Sequence, residues 1–224
     1  MPKPTNAKPL MIVLLGAPGA GKGTQATGIV REFGVVHVST GDMFRDNIKN
    51  ETPIGKKAKQ FIDAGQLVPD DVVIEMLKER IQKPDCEKGV LLDGFPRTQA
   101  QAVALDKLIG DKYKLIAVSL EISDKTVLER ITGRRYCPIC NRLYHVTFAP
   151  PKEDMLCDTC HKPLATRNDD TEKTVRDRLA IFHQQSGPVK EFYAKKKVLF
   201  DINADRDSHD VAKECIDLIH SQAK

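Results

Sequence analysis

The segment GAPGAGKGT, residues 16–24, constrains this chain more than any other. It follows the apolar run 10–15 and precedes a stretch in which Ala26, Ile29, Val30 and Phe33 recur at helical spacing. A strand, a glycine-rich turn, a lysine and a helix in that order define a phosphate-cradling loop. Gly19, Ala20 and Gly21 let successive backbone N–H groups turn inward around phosphate oxygens, and the following helix adds its N-terminal partial positive charge. Lys22 supplies a mobile cation for the outer phosphates. Gly23 stands where most such loops carry the Ser or Thr that touches Mg²⁺, and Thr24 comes one position later. That variant leaves position 23 without a hydroxyl to touch the metal. It argues against a motor ATPase or a switch GTPase, and no NKxD guanine-reading motif is present.

A loop of this kind needs a parallel sheet behind it, and the rest of the chain supplies one. The apolar runs 35–38, 90–92, 115–122 and 198–202 read as further buried strands. Helical periods lie between them, as in Val73, Met76, Leu77 and Ile81, or Val211, Cys215, Leu218 and Ile219. The expected fold is α/β, a doubly wound parallel five-stranded sheet. Two stretches interrupt the rhythm: 41–68, helical but without a strand close behind, and 134–171, rich in proline and cysteine. The expected division is therefore a tail at 1–9, a core of 10–40, 69–133 and 172–224, and two excursions at 41–68 and 134–171. The lysine run 195–197 reads as a solvated helix end.

Two more motifs fall at strand ends, where ligands sit in open α/β sheets. STGDMFR, 39–45, brings Thr40 and Arg45; DGFPRT, 93–98, brings Asp93 and Arg97. Each arginine can fork onto a second phosphate. Asp93, closing an apolar strand, is placed to hold the hydration shell of Mg²⁺. Further along come Arg130 and Arg134 in ERITGRR, Arg167 in RNDD and Arg178 in TVRDR.

Between the arginine groups stand CPIC and CDTC, sixteen residues apart (141–156). Cys137, Cys140, Cys157 and Cys160 match the spacing of a structural tetrahedral Zn²⁺ site, which four thiolates satisfy completely. His145 is left without a vacancy there. Cys86, in an expected loop, and Cys215, on an apolar helix face, read as bystanders.

These motifs, in this order, resemble those of the adenylate kinases, and the resemblance covers nearly the whole chain beyond the tail. It implies reversible phosphoryl transfer from ATP to AMP giving two ADP, with Mg²⁺ accompanying ATP and held largely through water, and with a zinc-stapled lid. Gly19, Ala20, Gly21, Lys22, Gly23 and Thr24 would bind the ATP phosphates, with Arg130 and Arg134. Leu143, Tyr144 and the backbone near Arg206 would close on the ATP base. Arg45 and Arg97 would hold the AMP phosphate and Thr40 would sit beside the AMP base. Gly94, Phe95 and Pro96 would line that site. Gln101 would read the adenine edge, and Gln66, Leu67 and Val68 would offer backbone contacts. Arg167 and Arg178 would bridge the two nucleotides' phosphates. The catalytic set so implied is Lys22, Asp93, Arg97, Arg134, Arg167 and Arg178.

Two alternatives remain open on sequence. One is a GTP:AMP phosphotransferase with the same acceptor site; the other is a zinc-ribbon nucleic-acid-binding protein using its loop as a switch. A net charge of +4 fits either a phosphate substrate or a nucleic acid, but the chain has no Trp and only 5% aromatic residues, too few for a base-stacking surface. No apolar run approaches the roughly 20 residues of a membrane span. The 1–9 segment, with Lys but no Arg, is unlike an organellar transit peptide, so the expectation is a cytoplasmic protein bound neither to nucleic acid nor to membrane, and the resemblance implies a monomer.

Overall fold

The computed structural model describes residues 8–223. The expected tail at 1–9 therefore lies mostly outside the described residues; at its end, Pro9 already accepts a backbone hydrogen bond from Lys114.

Five strands form one wholly parallel sheet: β1 (Leu10–Gly16), β2 (Val36–Ser39), β3 (Gly89–Asp93), β4 (Lys114–Glu121) and β7 (Leu199–Asn203). Their order is β2-β3-β1-β4-β7. The chain winds to one side of β1 for β2 and β3 and then crosses to the other side for β4 and β7. The carboxyl end of β1 is thus a switch point, where a crevice opens.

The period-2 alternation of β1 builds two cores. Met11, Val13 and Leu15 point to one face, Ile12 and Leu14 to the other. The first face is covered by α4 (Asp70–Ile81), α5 (Gln99–Ile109) and the end of α7 (Glu172–Lys195), through Val73, Leu77, Leu105 and Tyr193. The second is covered by α1 (Lys22–Phe33) and α8 (Ser208–Ala223), through Ile29, Val211, Cys215 and Ile219. Cys215 is a core residue, as its helical spacing suggested. Cys86 departs from the loop expected of it: it is fully buried in a 3₁₀ turn, Pro84–Lys88, where Arg80 Nη1 lies 3.1 Å from its sulfur. Burial pushes that thiol up from its ordinary range.

Between β2 and α4 come α2 (Thr40–Lys49) and α3 (Pro53–Asp63), packed on each other. Ser39 and Thr52 cap them, accepting from Asp42 N and Gly55 N. Gly55 is required there, because a Cβ would collide with the Asn47 carbonyl. After α6 (Asp124–Thr132), β5 (Arg134–Tyr136) and β6 (Leu143–His145) form a small antiparallel sheet. Residues 195–197 end α7 exposed, with Lys195 and Lys196 paired to Glu191 and Asp106. No helix among the described residues is long and apolar enough to cross a membrane.

Candidate active site

The loop after β1 turns through positive φ at Gly19 and Gly21, at 78° and 93°. A Cβ at Gly19 would stand 2.8 Å from Ile131 Cγ1, so α6 packs directly on a bare backbone. Ala20 turns into the core while Thr24 stays exposed. Lys22 folds back over the loop, its Nζ donating to Gly16 O and Ala17 O, each at 2.8 Å. Burial, helped by the cations of Arg97, Arg178 and Arg134 and opposed by Asp93, lowers its pKa to about 8. This is an ammonium held short of counter-charge.

Asp93 ends β3 beside that lysine. Its carboxylate oxygen would lie 3.7 Å from a Cβ at Gly23, and His37 Nε2 stands 3.6 Å from it. Burial pushes the carboxyl up, but His37, Lys22 and Arg97 outweigh it and hold the group below its ordinary range. An ionised, nearly buried carboxylate facing a loop without a hydroxyl at position 23 fits a Mg²⁺ ion bound through its water shell.

On the other side of the crevice, Thr40 is buried and donates to Gly94 O at 3.0 Å. Arg97 Nε donates to the same carbonyl at 2.8 Å, and burial with the neighbouring Arg178 charge brings its pKa down to about 10. Arg45 pairs with Asp42. Gln66, Leu67, Val68, Gly94, Pro96 and Gln101 line the same cleft as Lys22, Thr40, Arg45, Arg97 and Arg178. The Phe95 ring is 1% exposed and belongs to the core, so it is the backbone of Phe95 that stands at the site. The Phe95–Pro96 peptide is cis.

The remaining arginines come from residues 130–178. Arg134 is paired with the fully buried carboxylate of Asp170, and Arg178 Nη1 lies 2.8 Å from Asp169. Arg167 lies 5.6 Å over the Tyr136 ring, and its buried Nε has no partner among the described residues. Burial and then the Arg45 and Arg134 charges lower Arg167 to about 10; burial above all lowers Arg178. Arg130 Nη2 donates to Ala204 O at 2.9 Å and reaches Arg206 O at 3.4 Å, joining α6 to the 204–206 turn. The Arg206 side chain turns away to Glu214.

The four cysteines come together, with all sulfurs within 4.8 Å of one another. Cys137–Cys160 and Cys140–Cys157 are 3.3 and 3.5 Å apart. Four sulfurs around one Zn²⁺ at about 2.3 Å sit about 3.8 Å from each other, so the cluster fits that ion. The Tyr144 ring is buried in the cysteine cluster, its hydroxyl 3.4 Å from Cys157 Sγ and accepting from Asp158 N at 2.8 Å, which leaves its backbone for any contact with a nucleotide base. That hydroxyl leads the forces that take Cys157 down to about 5. Leu143 alternates to the opposite side and reaches over Gly23. His145 is no ligand; Nδ1 accepts from Thr147 N and Phe148 N, and Nε2 meets Glu129 O at 3.1 Å.

Four residues escaped the sequence reading: His37, Asp70, Tyr136 and Asp170. His37 lies on a short strand just ahead of STGDMFR, and Tyr136 falls in the one-residue gap between ERITGRR and CPIC. Asp70 and Asp170 are visible only through partners 28 to 36 positions away.

A phosphate loop at a sheet switch point, faced across one cleft by buried arginines, defines a nucleotide phosphotransferase of the P-loop kinase class. Comparison with known proteins narrows this. The family described as Adenylate kinase matches residues 14–198. An adenylate kinase of Carboxydothermus hydrogenoformans is 48% identical over 204 residues, 90% of this chain and 95% of that one. Those of Archaeoglobus fulgidus and Bacillus subtilis are each 47% identical, over 91% and 93% of this chain and 94% and 97% of theirs. The chain belongs to the adenylate kinase family and is an enzyme of phosphoryl transfer.

Proposed function

We infer that the enzyme moves the γ-phosphoryl group of ATP directly onto AMP, reversibly, giving two ADP. The observation that carries this reading is the cation set: Lys22, Arg97 and Arg178 line one cleft, with Arg134 and Arg167 in electrostatic reach, and burial holds Lys22, Arg97, Arg167 and Arg178 below their ordinary pKa values. Such a set is costly when empty and well matched to two polyphosphate chains brought end to end.

The loop at 16–24 and Lys22 hold the ATP phosphates, with Arg130 and Arg134 beside them. Arg45 and Arg97 hold the AMP phosphate, Thr40 and residues 66–68 enclose its nucleoside, and Gln101 reads its base. An AMP phosphate oxygen, already anionic at neutral pH, attacks the γ-phosphorus in line. The bond to the bridging oxygen breaks, and ADP leaves with that electron pair. Lys22, Arg167 and Arg178 stabilise the charge as it redistributes. No side chain forms a covalent intermediate. Mg²⁺, when bound, neutralises and aligns the outer phosphates; Asp93 is the residue that would hold its water shell.

Excursions 41–68 and 134–171 close over the two nucleotides and exclude water, which would otherwise take the phosphoryl group. Cys137, Cys140, Cys157 and Cys160 would hold a Zn²⁺ whose role is to fold the lid. Binding in small sites of this kind supplies about 10–16 kcal/mol.

The test is ADP production from AMP and Mg²⁺ with ATP or GTP as donor. Strong activity with ATP and little with GTP is expected, together with a loss of kcat/KM of at least about 100-fold in Lys22→Ala and in Arg97→Ala. Activity largely retained in both variants would refute the assignment of roles.

A further inference from the structure

We propose that Asp70, which does not line the cleft, is a specificity-determining positioning residue. It fixes the side-chain amide of Gln101 in the one orientation that accepts an adenine edge and rejects a 6-oxopurine. The proposal rests on the reading of this cleft as an AMP site with Gln101 at the base.

Gln101 stands in the first turn of α5, 2% exposed, at the wall of the cleft. Its Oε1 accepts from the backbone N–H of Arg97 at 2.7 Å, and its Nε2 donates to Asp70 Oδ1 at 2.7 Å. Neither partner can change sign, because a backbone N–H only donates and a carboxylate only accepts. Turning the amide over would set NH₂ against N–H and carbonyl oxygen against carboxylate, two repulsive contacts in a buried place. The orientation is therefore locked at both ends.

Asp70 is itself locked. Its Oδ2 accepts from the Thr98 hydroxyl at 2.8 Å, and the same Thr98 oxygen caps α5 by accepting from Gln101 N at 3.2 Å. Asp70 opens α4 two residues after Val68, so it ties the cleft-lining segment 66–68 to the base-reading side chain.

Each end of the amide keeps one unused valence, a lone pair on Oε1 and an N–H on Nε2. Adenine offers the complement, a 6-amino donor beside the N1 acceptor. A 6-oxopurine offers O6 as acceptor and N1–H as donor, so both contacts become mismatches. It could be read only by the amide orientation that Asp70 and Arg97 N forbid. A site built this way rejects through unpaired buried groups, which discriminate far more strongly than a missing attraction.

The experiment compares AMP with inosine monophosphate, a 6-oxopurine nucleotide of the same outline, as acceptors at fixed Mg²⁺ATP. It uses the wild type, Asp70→Asn, Gln101→Leu and the double variant, each with its melting temperature. Asp70→Asn can present its own amide to either orientation of Gln101. It is expected to raise KM for AMP about tenfold with kcat and KM for ATP within about twofold. The AMP-over-inosine preference should fall about tenfold or more, and the same substitution in the Gln101→Leu background should leave it unchanged. Asp70→Glu, which keeps the carboxylate, should recover part of the preference and covers the case of an unstable Asn variant. An unchanged preference in Asp70→Asn, an equal change without Gln101, or an Asp70→Glu variant no more selective than Asn would each overturn the proposal. A wild type that makes ADP from AMP without preferring it to inosine monophosphate would refute the role of Gln101. One that makes none from AMP would refute the underlying reading.

Discussion

Lys22 gives the active site a proton signature that binding must erase. With no anion present its pKa is about 8, lowered chiefly by burial and by the Arg97, Arg178 and Arg134 charges, against an ordinary 10.5. At pH 7.5 about a quarter of the free enzyme then has a neutral Lys22, and at pH 8.5 about three-quarters. A bound polyphosphate supplies the missing counter-charge and restores the ammonium. Nucleotide binding should therefore take up about 0.2 proton at pH 7.5 and about 0.8 at pH 8.5, where the nucleotide's phosphates are already fully ionised. Titration calorimetry of Mg²⁺ATP in two buffers of different ionisation enthalpy reads this number directly. The sign for folding follows the same shift. The cost of charging Lys22 is complete below about pH 8 and disappears as pH rises toward 10.5, so the free protein gains stability from this group across that window. Lys22→Met should bind more weakly and show no such uptake. Uptake that is flat between the two pH values, or equal in Lys22→Met, would refute the picture of a cation held without its partner.

Two further substitutions separate structure from chemistry in the 134–171 excursion. Asp170→Ala strands Arg134, whose carboxylate partner is fully buried. Breaking such a pair costs about 3–5 kcal/mol, and scanning calorimetry should show a lower Tm that saturating nucleotide largely restores, because phosphate takes the carboxylate's place. Tyr144→Phe removes the hydroxyl between Cys157 Sγ and Asp158 N. Competition with a chelator should show Zn²⁺ affinity reduced about 10- to 100-fold with KM for ATP unchanged in the zinc-loaded enzyme. A raised KM for ATP with normal zinc affinity would return Tyr144 to the nucleotide pocket.

What the sequence made legible follows from how local each signal is. The loop at 16–24 is readable because strand, glycines, lysine and helix are contiguous, and backbone physics then dictates their shape. The cysteines are readable because two CxxC pairs need only fold onto each other to complete a tetrahedron. Tyr144 shows where this stops. In a three-residue strand, Leu143–His145, period-2 alternation decides which side chain meets the loop and which the cysteine cluster, and nothing in the three letters gives the phase. Leu143 went to Gly23 and Tyr144 to Cys157. The arginines are a subtler case. Arg45, Arg97, Arg134 and Arg178 announce themselves by position, but an arginine in a phosphate site must also survive without phosphate. Asp42, Asp169 and Asp170 meet that need for Arg45, Arg178 and Arg134. Arg167, its Nε buried without a hydrogen-bond partner among the described residues, has the face of Tyr136 and the charges of Asp170 and Asp169. Asp70 belongs to the same class, since it shapes what Gln101 can read from outside the cleft. Motifs thus reveal the groups proposed to touch substrate, because chemistry fixes their type. The groups that hold them ready are fixed only by the fold, and in this enzyme they are mostly aspartates that no spacing rule distinguishes from surface charge.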